Sequence, residues 1–223
     1  MKARTKQKTK KPIKVILLKA YLISGSPNTE GSTITVLKLL GNELCHVGFE
    51  TQIEILDRCK IGFCRGCKKC ESDLKCIQRD DMDRITENIK NADLLVLASP
   101  SYWGDITAQM KVFIDRCTPL CEYINDRSMP TDKIGISISI RAGTRESENI
   151  HLLECFEHYF NHLKIKPVSR FSLTQINNRI DLKNKKGELL KLKDIAANAA
   201  DEMKNLKLKN NKTMNSQRHE STF

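Results

Sequence analysis

The apolar positions along this chain follow two alternating periods. Val15–Ile23 is a nearly continuous aliphatic run, as a strand covered on both faces requires. Lys19 interrupts it and moves the expected strand start towards Ala20. Ile34–Val47 then carries Leu37, Leu40 and Leu44 at helical spacing, and Gly48 closes that helix. Phe49–Leu56 alternates as a second strand. Leu94–Ala98, Ile134–Ile140 and Val168–Gln175 read as three more. Between and after them the pattern predicts a helix capped by Asp80 or Asp81 and running to about Asn91, then helices over Thr107–Ile124, Arg145–Leu163 and Gly187–Leu206. Five strand–helix units of this length predict an α/β fold, with a parallel sheet covered on both faces.

In such a sheet a ligand binds beyond the carboxyl ends of the strands. The loop after the first strand, Ser24-Gly-Ser-Pro-Asn-Thr-Glu-Gly31-Ser-Thr33, is rich in hydroxyls and glycine and ends at a helix N-terminus, where an anion is favoured. It is neither a Walker A loop nor a GxGxxG fingerprint, because Ser32 stands where the Walker lysine belongs. A phosphate held without lysine or metal suits a mononucleotide such as FMN, and an ordinary helix-capping turn is the competing reading. Ser99-Pro-Ser-Tyr-Trp-Gly104 follows the third strand and carries the only Trp; it would line a flat slot or finish a core. Ile140-Arg-Ala-Gly-Thr144 follows the fourth strand, and Gly143 there allows close backbone approach.

One stretch obeys neither period. Cys64-Arg-Gly-Cys67-Lys-Lys-Cys70-Glu-Ser-Asp-Leu-Lys-Cys76 places four cysteines in thirteen residues, inside a loop over 58–79. Short cysteine-only runs hold iron–sulfur clusters, whereas zinc knuckles draw on two separated pairs. Disulfides would close only tiny loops, and the chain has nine cysteines, an odd number. The spacing therefore favours a cluster over zinc or free thiols. Cys59 reads as a spare thiol, and Cys45, Cys117, Cys121 and Cys155 as small apolar residues within helices. His151, His158 and His162 share one helix without a supporting carboxylate motif and read as solvated, while Asp115 and Arg116 read as ion-pairing residues.

Charge changes the picture less than its size suggests. The net +11 sits largely in residues 1–12, with six basic and no acidic side chains, and 204–223, with five basic and one acidic; this leaves the body near neutral, and the ends 1–12 and 208–223 are expected to be disordered. That distribution argues against nucleic acid as a partner. No run of 18 apolar residues occurs, so no membrane span is expected, and the cysteine usage fits the cytoplasm.

With these residues in view, the chain resembles the iron–sulfur flavoproteins, a branch of the NAD(P)H-dependent FMN reductase family. The resemblance rests on Gly25–Thr33, Cys64–Cys76, Asp80-Asp-Met82, Ser99-Pro-Ser-Tyr-Trp103 and Lys111-Val-Phe-Ile-Asp-Arg116. Asn28, where many relatives carry arginine, and Arg141-Ala-Gly-Thr, in place of a more glycine-rich loop, depart from the pattern. The resemblance implies a flavodoxin-like domain over 13–207 with sheet order 2-1-3-4-5. It implies FMN bound by Ser24, Ser26, Pro27, Asn28, Gly31, Ser32, Thr33, Pro100, Ser101, Tyr102, Trp103, Gly104, Ala142 and Gly143. It further implies a 4Fe-4S cluster on Cys64, Cys67, Cys70 and Cys76. The function implied is a homo-oligomeric redox protein, a dimer or tetramer. It would relay electrons between a ferredoxin-like donor or NAD(P)H and a small acceptor. The alternative is a cluster-free NAD(P)H-dependent FMN or quinone reductase.

Overall fold

A computed structural model describes residues 17–121 and 129–220. Five parallel strands form one sheet in the order β2-β1-β3-β4-β5. They are β1 (Leu18–Ser24), β2 (Phe49–Ile55), β3 (Leu94–Pro100), β4 (Lys133–Ile140) and β5 (Ile165–Leu173). Six helices connect or follow them: α1 (Ser32–His46), α2 (Lys69–Asp73), α3 (Met82–Asn91), α4 (Ala108–Arg116), α5 (Glu146–His162) and α6 (Lys186–Glu220). The chain order reverses between β1 and β3, which opens a crevice at the carboxyl edge.

The sequence of β4 shows why helices cover both faces. Ile134, Ile136, Ile138 and Ile140 all project into the core shared with α1 and α6, where Ala196, Ala199 and Met203 receive them. Gly135, Ser137 and Ser139 face the other way and are small. A Cβ on Gly135 would lie 2.7 Å from the Phe160 ring, so glycine lets α5 press directly on the strand. Ser139 Oγ donates to Asn149 Oδ1 at 2.6 Å, and Asn149 Nδ2 donates to the Leu173 carbonyl at 3.3 Å, pinning α5 at the same edge. Each buried isoleucine contributes about 1.5–3 kcal/mol.

Four boundaries differ from the sequence reading. β1 begins at Leu18, because the Lys19 amide is held by Asp93 Oδ2 at 2.7 Å and its side chain lies exposed at the strand end. β5 begins at Ile165, ahead of Pro167, since it is an edge strand and the register shift opposite Gly135 and Ile136 absorbs the proline. α4 stops at Arg116, where Pro119 cannot supply a helical N–H, and a 3₁₀ turn takes over at Thr118–Leu120. α6 continues to Glu220 rather than ending near Leu206. The stretch 208–220, expected to be a disordered tail, is helical, and no glycine or proline interrupts it after Gly187. The basic stretch 1–12 and the end of the helix expected to reach Ile124 lie outside the described residues. Among the described residues no helix is long and apolar enough to cross a membrane.

Candidate functional site

The first site lies at the carboxyl edge of the sheet. Ser24 is buried at the end of β1, and its Oγ accepts the Ser26 amide at 3.3 Å. Ser26 Oγ accepts the Asn28 amide at 3.2 Å, Asn28 Oδ1 accepts the Glu30 amide at 3.0 Å, and the Gly31 amide donates to the Asn28 carbonyl at 3.2 Å. These bonds curl the loop over the start of α1. The helix N-cap there, Gly31, supplies no side-chain bond, and no acidic residue occupies the first turn. Its amides and dipole are left open to an anion. Gly25 is required because α4 approaches closely: an added Cβ would meet Met110 Cβ at 2.8 Å. The Gly25 amide donates to the Ala98 carbonyl at 2.8 Å, and Thr107 Oγ1 donates to the Gly25 carbonyl at 2.5 Å.

A cavity of about 260 Å³ opens beside this loop. Of the sequence-predicted residues it is lined by Ser26, Asn28, Gly31, Ser32 and Thr33 from the first loop, Pro100, Ser101 and Tyr102 from the second, and Ala142 from the third. Ser24, Pro27, Trp103, Gly104 and Gly143 do not line it. Trp103 is fully exposed on a turn closed by two backbone bonds between Tyr102 and Asp105, with φ of 56° at Trp103 and 81° at Gly104. At Gly143 a Cβ would lie 2.4 Å from Arg141 Nη2, so glycine leaves room for the arginine to fold back.

Glu30, Ile140 and Arg141, in two of the loops singled out from the sequence but not assigned to the ligand there, also line the cavity, as does the whole Ile176–Arg179 segment after β5, which sequence reasoning missed. The position of that segment beyond a strand's carboxyl end was the available signal. Two buried polar atoms, Ser101 Oγ and Arg141 Nε, have no hydrogen-bond partner among the described residues, and both side chains border the cavity. Buried polar atoms without partners are costly, so a ligand bearing polar groups fits this space.

The second site lies on the loop between β2 and α3. Cys64, Cys67, Cys70 and Cys76 all line one cavity of about 220 Å³, with Ile77, Arg116 and Pro119 in its wall. Gly66, Lys68 and Leu74 adopt left-handed backbone, φ 60°, 58° and 58°, and turn the chain around the short helix α2. Such a conformation costs a non-glycine residue about 1 kcal/mol or more. Burial, with the neighbouring Cys76, Cys64 and Cys67, pushes the Cys70 thiol up. Among the described residues no three His, Cys, Asp or Glu side chains converge on a single ion. What the four cysteines share is the wall of one cavity.

The remaining cysteines are placed elsewhere. Cys59 Sγ donates to Glu54 Oε1 at 3.1 Å, and burial together with that carboxylate pushes its thiol up to about 12. Tyr21 Oη donates to Glu54 Oε2 at 2.7 Å, and Arg84 pairs with both carboxylate oxygens. Burial opposes the Glu54 charge, yet the bonds from Arg84, Tyr21 and Cys59 hold its carboxyl below the usual range. Cys117 is buried as expected, with its thiol pushed up to about 12 by burial. Cys121 and Cys155 are half-buried. Cys45 is exposed, contrary to expectation, and lies 3.3 Å from Thr51 Oγ1 on the outer face of α1. His158 and His162 sit with their Nε2 atoms 2.9 Å apart.

Comparison with known proteins agrees with this geometry. A family model of NADPH-dependent FMN reductases matches residues 18–177. An iron–sulfur flavoprotein of Archaeoglobus fulgidus is 38% identical over 133 residues, covering 60% of this chain and 59% of that protein. A second, from Methanocaldococcus jannaschii, is 30% identical over 148 residues, covering 66% of this chain and 75% of that protein. The match thus leaves about two-fifths of the first relative's length uncovered. The NAD(P)H:quinone oxidoreductase from Methanothermobacter marburgensis superposes with a TM-score of 0.66 at 18% identity, covering 82% of this chain and 97% of that one. The last likeness shows the flavodoxin-like arrangement alone. The family match and the two relatives go further: this chain belongs to the NADPH-dependent FMN reductase family, among the iron–sulfur flavoproteins.

Proposed function

We propose that the chain is an FMN-dependent oxidoreductase with a 4Fe-4S cluster on Cys64, Cys67, Cys70 and Cys76. The observation that carries this reading is the gathering of all four cysteines around one cavity, beside a separate strand-edge pocket with unsatisfied polar atoms. A flavin exchanges one or two electrons and a cluster one, so the pair would couple one-electron carriers to two-electron chemistry. Electrons would enter from a ferredoxin-like donor or NAD(P)H and leave to a small acceptor, in the cytoplasm.

The residues divide the work. The open amides at the start of α1 and the hydroxyls of Ser26, Ser32 and Thr33 would bind the FMN phosphate. Ser101, Tyr102, Ala142 and Arg141 would border the ring. Lys68, Lys69 and Lys75 stand on the cysteine loop and would steer an acidic protein donor towards it. Homo-oligomeric assembly, as a dimer or tetramer, belongs to the same reading.

The test compares electron sources. Replacing all four cysteines with alanine should slow reduction by a ferredoxin-like protein far more than reduction by NADPH, while FMN stays bound. Equal rates from the protein donor in wild-type and variant would leave a cluster-free FMN or quinone reductase as the function.

A further inference from the structure

Arg116 is a large side chain that is almost completely buried, at 2% exposure, at the carboxyl end of α4. Its guanidinium reaches both ends of the cysteine loop. Nη1 donates to the Gly62 carbonyl at 2.7 Å and to Asp80 Oδ2 at 2.6 Å, and Nη2 donates to Asp80 Oδ1 at 3.0 Å. Asp80 in turn accepts the Gly62 amide at 3.0 Å and the Met82 amide at 3.1 Å. Gly62 precedes the first cysteine of the run and Asp80 follows the last, so one ion pair fastens the loop at its base.

The same side chain faces the sulfurs. Arg116 lines the cavity together with Cys64, Cys67, Cys70 and Cys76 and interacts with the Cys76 thiol. Its Nε is buried without a partner among the described residues. Asp80 occupies only part of the donor set, and a buried N–H left without a partner, on a side chain that lines the cysteine cavity, calls for an acceptor there.

From this geometry we infer that Arg116 is a positioning residue for the cysteine site, closing the loop through Asp80 and setting the electrostatics of the cavity with a buried positive charge. The inference rests on the cluster reading given above. A fixed cation beside sulfur ligands lowers the energy of negative charge placed there, which favours the more reduced state of the site. The far end of α4 bears on the other pocket, since its N-cap Thr107 holds the Gly25 carbonyl. A helix of nine residues is about 14 Å long, so α4 acts as a rigid strut between the phosphate loop and the cysteine loop.

The test uses the full chain, reconstituted anaerobically with iron, sulfide and FMN, as wild-type, R116K, R116M and the neutral pair R116M/D80N. Bound iron, sulfide and FMN are counted, and the midpoint potential of the cluster is followed by electron paramagnetic resonance. R116K should keep its iron and a potential close to wild-type, because it keeps the charge. R116M/D80N removes the ion pair without stranding Asp80. It should keep FMN and stay near the wild-type potential because both charges leave together, whereas R116M should shift negative by a tenfold or greater weakening of the reduced state, about 59 mV for one electron. Loss of iron from R116M with retention in R116K also supports the inference. Wild-type potentials in every variant would overturn it, as would equal iron loss in R116K and R116M. A wild-type protein that takes up no iron would bring down the cluster reading and this inference together. Wild-type with full iron and unmoved variants would bring down only the inference.

Discussion

The two cavities of this protein are built in opposite ways. The strand-edge pocket is made where β1, β3, β4 and β5 all end, so its walls inherit their positions from the sheet. The cysteine cavity has no strand beneath it. Its loop is fastened by polar clips: Arg116 and Asp80 at the base, the Lys60 amide on Asp81 Oδ2 at 2.6 Å, and Gln78 Nε2 on the Phe63 carbonyl at 3.0 Å. Phe63, Leu74 and Ile77 remain exposed around it. A pocket at strand ends is preorganised by the core, whereas a loop site must draw much of its order from its ligand and a few charged contacts. The two sites should therefore fail independently.

The largest expected effect is on the loop. Changing any one of Cys64, Cys67, Cys70 or Cys76 to alanine should remove nearly all bound iron and sulfide and leave FMN close to one per chain. Iron retained at the wild-type level would show that the cysteine in question is not a ligand.

The converse variant strikes the strand-edge pocket. Ser32→Glu places a carboxylate in the first turn of α1, among the amides that would receive the phosphate. The helix dipole tolerates it, so the fold should hold. Like charge against the phosphate should cost several kcal/mol, on the order of a hundredfold or more in FMN Kd, with iron content unchanged. Loss of both cofactors in this variant would break the independence of the two sites.

A smaller effect concerns the polar knot between β2 and α3. Glu54→Gln leaves Arg84 without its charge partner and should lower stability by about 1–3 kcal/mol at neutral pH. Because the folded carboxyl is held below its ordinary 4.5, the unfolded chain takes up the proton first as pH falls. This stabilisation is complete above that ordinary value and is lost as pH drops through the lower folded value. Denaturant titrations across pH should show an acid-side loss in wild-type that is shallower in Glu54→Gln. Parallel curves would show that Glu54 carries no such linkage.

The smallest effect belongs to Trp103→Ala. A fully exposed side chain outside the pocket should change chain stability by no more than about 0.5 kcal/mol and leave FMN affinity unchanged. A clear drop in FMN affinity would place Trp103 at the ring site.

The residues that were legible in the sequence are those whose neighbours are close along the chain. The β strands showed as aliphatic runs, and the first phosphate-type loop showed as hydroxyls and glycines before a helical period. The cysteine run displayed its own spacing. What sequence hid depends on distant partners. Arg116 meets Gly62 and Asp80 across 54 and 36 positions, and nothing in its local pattern marks a buried arginine. Ile176–Arg179 entered the pocket because β5 lies in the sheet as an edge strand, and its loop carries no phosphate-type composition. The exposure of Trp103 was not legible either, because composition reports an aromatic residue and not the positive-φ turn that carries it. The length of α6 was missed because a charge run was taken for disorder, although its lysines, leucines and methionines are good helix formers.

The central claim is that one chain holds a flavin in the strand-edge pocket and a cluster in the cysteine cavity. Purification under anaerobic conditions, followed by counting iron, sulfide, zinc and FMN in the same sample, tests it most directly. Such a sample should contain about four irons, about four sulfides and one FMN per chain, with no zinc. FMN without iron and sulfide, or zinc in place of iron, would contradict it.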